Sequence, residues 1–138
     1  IFAQADLLAY QNKNKQAMLL LDTLKQEYPS HKLLDDILYK RYQINYKQQN
    51  FEEAANNLKD IITSYSNDIL ADDALYSLAV LNDYQFNNKE KAADLYKKLM
   101  FEYQSSVFVV DARKRYRELR DKLKIIKIEN DILEFETN

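Results

Sequence analysis

Few side chains in this sequence could do chemistry alone, and their spacing limits what each can do. The single histidine, His31, follows Pro29-Ser30 in a polar turn. A catalytic or metal role would need partners at matched spacing, and none is visible. Cysteine is absent, which removes disulfides, thiolate metal sites and thiol nucleophiles. Glycine is absent too, so no glycine-rich phosphate loop can form. Three acidic pairs, Asp35-Asp36, Glu52-Glu53 and Asp72-Asp73, invite a divalent cation. Each sits at an expected helix start, where the positive end of the helix dipole already favours a carboxylate. The sequence therefore predicts no catalytic residue, no metal ligand, no cofactor and no enzyme activity.

The elements behind these residues recur. Ala17, Ala54 and Ala92 align at spacings of 37 and 38 residues, as do Leu21, Leu58 and Tyr96, and Leu24, Ile61 and Leu99. Tyr28, Tyr65 and Tyr103 follow, and then a second set: Leu34, Ala71 and Val109; Asp36, Asp73 and Asp111; Ile37, Ala74 and Ala112. A period of about 20–50 residues marks stacked supersecondary units that cannot bury their apolar faces alone. Inside a unit the spacing is helical: Ala54, Leu58, Ile61, Ile62 and Tyr65 form one stripe. Small residues at Ala17, Ala54 and Ala92 suit close helix crossings.

Turns must be built without glycine. Asn12, Asn14, Asn50, Asn67, Asn87 and Asn88 cluster where a left-handed residue or a helix cap is needed. Asn50 with Glu53, and Asn87 with Glu90, read as capping signals. The loop from Gln85 to Asn88 is one residue longer than its counterparts.

These residues resemble the tetratricopeptide repeat. Its pattern of a small residue, a large apolar one four later, another three after that and then Pro appears as Ala17, Leu21, Leu24 and Pro29. It recurs as Ala54, Leu58, Ile61 and Ser66, and as Ala92, Tyr96, Leu99 and Gln104. Leu38 and Leu75 take the place of the family's Trp; Ala5, Tyr42 and Ala79 take its Gly or Ala place. The longer repeats and the Asp-Ala-Leu-Tyr run at 73–76 are similar to the branch found in bacterial envelope proteins, among them outer-membrane assembly lipoproteins and the Tol-Pal accessory protein. The resemblance implies an all-α superhelix of stacked antiparallel helix pairs. Its repeats would span about 1–30, 31–68 and 69–106, with a capping helix at 107–123. It also implies a protein or peptide partner held in a concave groove, in a periplasmic or outer-membrane-associated setting. A cytoplasmic setting stays open.

In that family the inner face of each first helix lines the groove. Here this face would carry Asp36, Tyr39, Gln43, Tyr46, Asp73, Tyr76, Asp83 and Tyr84. Tyrosine suits such a surface because it offers a large apolar area with a polar tip at little entropic cost. The plainer reading is that the rings pack between neighbouring helices, and a ring can do both.

The segment from Val107 to Lys127 holds eight Lys or Arg against three Asp or Glu. Nucleic acid or anionic lipid could use that charge, but Lys114–Glu118, Arg117–Asp121 and Glu118–Lys122 are i,i+4 pairs typical of a solvated helix face. No nucleic-acid partner is expected. Residues 124–138 are too apolar for a plain disordered tail; they could extend the helix, form a short strand pair, or dock elsewhere. The remaining alternatives are a structural spacer, a self-association module, or an adaptor for an anionic polymer or lipid through the basic helix. No run approaches the roughly 18 apolar residues of a membrane span. The chain opens on Ile1 inside a helical pattern, which reads as a fragment of a longer protein.

Overall fold

A computed structural model describes residues 2–10, 13–27, 34–64 and 69–137. Among them the chain is all-α, with no strand. The helices are α1 (Phe2–Tyr10), α2 (Asn14–Glu27), α3 (Leu34–Lys47), α4 (Phe51–Ser64), α5 (Ala71–Val80), α6 (Lys89–Glu102) and α7 (Val109–Thr137). A π-helical turn, Leu81–Gln85, continues α5. The expectations placed on Asn12, Tyr28, Pro29, His31, Tyr65, Ser66 and Asn67 lie outside the described residues.

The chain divides into two compact units, Ile1–Ala74 and Leu75–Asn138. In the first, α2 packs on α1 and α3, and α4 packs on α3. Ala5, Ala17, Leu21, Leu24, Ile37 and Ile44 form one buried cluster, and Ala54, Leu58 and Ile61 are also fully enclosed. In the second unit α6 packs on α7 and on the π turn; Leu75, Leu78, Ala92, Tyr96, Leu99, Ala112 and Leu119 are buried.

Burial follows the sequence period. Ala17, Ala54 and Ala92 are each 0% exposed. Leu21, Leu58 and Tyr96 are buried, as are Leu24, Ile61 and Leu99, and Ile37, Ala74 and Ala112. The helix starts repeat as well. The amide of Asp36 donates to Asp35 Oδ1 at 2.8 Å, and that of Asp73 donates to Asp72 Oδ1 at 2.9 Å. Two of the three acidic pairs, Asp35-Asp36 and Asp72-Asp73, thus engage an amide of the first helical turn.

The step from 37 to 38 residues also has a place. After α3 the amide of Asn50 donates to the carbonyl of Asn45 at 2.8 Å, five residues back. In the corresponding turn the amide of Asn88 donates to the carbonyl of Asn82 at 2.7 Å, six residues back. The extra residue is absorbed by the π turn, where Phe86 donates to Leu81 across five residues at 3.0 Å. The helix swells by one residue where the sequence suggested a longer loop. The left-handed residues of the two turns are Gln49 (φ 64°) and Asn87 (φ 52°). Asn87 meets the expectation of a left-handed asparagine; in the earlier turn the left-handed residue is Gln49, and Asn50, expected to cap the next helix, stands directly before Phe51 with its carbonyl accepting from the Ala54 amide at 3.0 Å. The cap of α6 is Asn88, whose side chain accepts from the Lys91 amide at 3.2 Å, so Asn87 is not the cap.

α7 runs unbroken past residue 123 to Thr137. Of the three courses open to residues 124–138, helix extension is the one the described residues take. α6 is 14 residues long and α7 is 29, so roughly half of α7, about 20 Å at 1.5 Å per residue, extends beyond the length its hairpin partner can match.

Candidate functional site

The predicted groove residues fall into two groups, one in each unit. In the first unit they lie on α3 and at the start of α5. Tyr39, Tyr42 and Tyr46 occur at i, i+3 and i+7, which places them on one side of α3. Their ring centroids are 5.4 Å apart for Tyr39–Tyr42 and 6.0 Å for Tyr42–Tyr46, and Tyr46 meets Phe51 edge-on at 5.5 Å. Such offset and edge contacts are the geometry that ring quadrupoles favour. Tyr39 is further fixed by donating its hydroxyl to Asp73 Oδ1 at 2.8 Å. The outer end of the row is open: Tyr46 is 42% exposed, and Gln43 beside it is exposed. Asp36 is half-buried. Tyr42, assigned to a small-residue place in the sequence, is the ring that joins the other two.

Behind the row, Asn45 and Asn57 are buried between α3 and α4, and Asn45 Nδ2 donates to Asn57 Oδ1 at 2.8 Å. This polar pair fixes the register of the two helices, because a slip would leave both amides unpaired.

In the second unit the predicted residues do something different. Tyr76 is half-buried, stacked on Phe108 at 4.6 Å with the planes 11° apart, and tilted against Tyr96 at 6.0 Å. Burial, and then the charge of Asp111, raises its hydroxyl pKa. Here the packing reading describes the ring. Tyr84 is exposed, with the Lys89 ammonium and the Arg115 guanidinium each 5.2 Å from its ring centroid. These are cation–π contacts of useful distance.

Asp83 departs most from expectation. It was assigned to an open groove face and is instead 0% exposed. Its Oδ1 accepts from Lys89 Nζ at 2.7 Å and from an Arg115 terminal nitrogen at 2.9 Å. Its Oδ2 accepts from Arg115 Nε at 2.7 Å and from the Tyr96 hydroxyl at 3.0 Å. Lys89 also donates to the Asp83 carbonyl at 2.6 Å. Four donors occupy the four lone-pair positions of the carboxylate, and Arg115 uses the two-pronged geometry that only a guanidinium offers. Burial by itself would raise the carboxyl pKa. The hydrogen bonds from Arg115, Lys89 and Tyr96, with the charge of Arg115, outweigh it and hold the group at about 2. The same contact raises Arg115, while burial and then Asp83 raise Tyr96. A carboxylate so fully occupied has no lone pair left for a metal and no tendency to accept a proton near neutrality. Its role is to tie the π turn to α6 and α7.

Sequence reasoning missed this node. Two signals pointed to it: the one-residue lengthening of the period, and Tyr96 standing where the other repeats have Leu21 and Leu58.

An open cleft of about 670 Å³ lies between α6 and α7. Glu90 and Asp94 line it from α6 and Lys124 and Lys127 from α7, with Leu123 and Ile126 also in its wall. The cleft is shallow at this end: every residue of α7 from Lys124 to Thr137 is exposed, those that line it included. Among the described residues no three His, Asp or Glu side chains gather as a metal site, and no helix is long and apolar enough to cross a membrane. Compared with known proteins, the chain matches no protein-family model and no curated protein.

Proposed function

We propose that this chain is a non-enzymatic helical-repeat scaffold of tetratricopeptide type that binds a protein or peptide. The observation that carries the reading is the ring row on α3. Tyr39, Tyr42 and Tyr46 are locked against one another and against Phe51, and Tyr39 is held by Asp73, while the outer ring remains open to solvent. A ring ordered before binding loses little entropy when a ligand arrives, which is what makes tyrosine an effective anchor. The exposed amide of Gln43 and the carboxylate of Asp36 would supply polar contacts beside the apolar ones. By resemblance, the setting is a larger bacterial envelope protein. The second unit, taken by itself, offers one exposed ring of this kind, Tyr84, beside Lys89 and Arg115.

Selection from a displayed random-peptide library tests this. The wild-type chain should enrich peptides sharing a common motif. Tyr46→Ala should weaken the binding of a selected peptide about tenfold or more, the effect of losing a contact of about 1.4 kcal/mol, while the chain stays folded at the assay temperature by circular dichroism. Enrichment of no motif, or equal binding by a well-folded Tyr46→Ala, would refute the ring row as an anchor.

A further inference from the structure

We propose that the free half of α7 is a self-association helix, which pairs antiparallel with the same segment of a second copy of this chain. This surface is separate from the ring row and does not rest on it.

The overhang carries two apolar stripes. Ile126 and Leu133 continue the line of Ala112, Leu119 and Leu123 that faces α6. A second stripe, Ile125, Ile128, Ile132 and Phe135, recurs at i, i+3, i+7 and i+10 on roughly the opposite side. Its members are 57%, 58%, 52% and 86% exposed. This stripe exists only in the overhang. One to four turns earlier the same side of the helix carries Asp121, Arg117 and Lys114. An isolated helix of about 14 residues is marginal in water, and four large apolar side chains in a row on an exposed face mark a contact surface.

Charge selects the partner and its direction. From Arg113 to Lys127 there are eight basic residues and two acidic ones; from Ile128 to Thr137 there are four acidic residues and no basic one. Two copies side by side in parallel would set base on base and acid on acid. Reversing one copy instead brings Glu134 and Glu136 of each beside Lys127 and Lys124 of the other, so the surface is self-complementary at these two positions under a two-fold axis. The apolar stripe obeys the same symmetry. With the axis at position 130, Ile125 lies opposite the partner's Phe135, Ile128 opposite the partner's Ile132, and Lys124 opposite the partner's Glu136. Glu129 and Asp131 flank the axis in both copies, a like-charge cost that keeps the pairing weak. A contact this small belongs to the transient class, with a dissociation constant of about 10–100 μM.

The experiment uses sedimentation equilibrium of the whole chain from about 1 to 500 μM. The apparent mass should rise with concentration from near the monomer value toward twice that value. Ile128→Lys with Ile132→Lys, both at exposed positions, should raise the dissociation constant more than tenfold while leaving the helical circular dichroism in place. Orientation is read by disulfide trapping, since the chain has no cysteine of its own. When Ile125→Cys and Phe135→Cys chains are mixed and oxidised, antiparallel pairing yields chiefly the mixed disulfide. A chain that stays monomeric throughout, a double variant that dimerises as the wild type does, or a predominance of the two symmetric disulfides would each overturn the proposal.

Discussion

Replacing Asp83 by Asn should destabilise the Leu75–Asn138 unit by about 2–3 kcal/mol at neutral pH, and most of that loss should fade in acid. The carboxyl is held at about 2, below its ordinary 3.8, because donors from Arg115, Lys89 and Tyr96 outweigh the cost of burial. A difference of nearly two pH units corresponds to about 2 kcal/mol of folding free energy. Asn preserves the shape and one acceptor, but it cannot satisfy the guanidinium fork and the ammonium together. The two cations are 26% and 21% exposed and can turn toward water, which keeps the loss below the roughly 3–5 kcal/mol typical of a fully buried broken pair. The folded pKa is depressed, so the contribution is complete above the unfolded value and is lost as pH falls through the folded one. Near pH 3 about half should remain, and near pH 2 only a small remainder. Urea unfolding followed by far-ultraviolet circular dichroism, for both proteins across that range, measures the difference directly. A deficit of the same size at neutral and acid pH would mean that Asn disturbs packing and that the charge contributes nothing. No deficit at neutral pH would remove the node from the fold's stability altogether.

Gln49→Gly should raise stability by about 0.5–1 kcal/mol, because Gln49 is held at positive φ where only a residue without Cβ avoids the steric cost; an unchanged or lower melting temperature contradicts this. Asn45→Leu should cost about 1–3 kcal/mol by leaving the buried Asn57 amide unpaired, whereas Asn45→Leu with Asn57→Leu should recover most of the loss, since removing both partners removes the unmet hydrogen bond. If the double variant is as unstable as the two single losses added together, the pair contributes shape and not hydrogen bonding.

The parts of this fold legible in the sequence are those where period and burial are the same fact. Ala17, Ala54 and Ala92 recur because each is enclosed, and a side chain larger than methyl would not fit there. The aromatic row was only half legible. The sequence places Tyr39 and Tyr46 on one helix face but puts Tyr42 at a small-residue place of the repeat, although its contacts are what make a row of separate rings. The tail was open to three courses because its two apolar stripes suit a helix contacted from both sides as well as a docked segment, and amphipathic period alone does not identify a partner.

Asp83 was misplaced for a geometric reason. Each residue turns a helix by about 100°, so one inserted residue rotates the phase of everything after it. Counting 37 residues from Tyr46 leads to Asp83, and counting 38 leads to Tyr84. Within the π turn the second count is already the right one, and Tyr84 is the exposed ring that corresponds to Tyr46. The insertion turns Asp83 inward, where an unpartnered carboxylate would be costly. That cost is met by three side chains from the neighbouring helices: Tyr96, in place of the leucine of the earlier units, Lys89 at the first position of α6, and Arg115 on α7. The longer period, the buried acid and the three donors are therefore one coupled departure from the repeat, and none of them makes physical sense without the others.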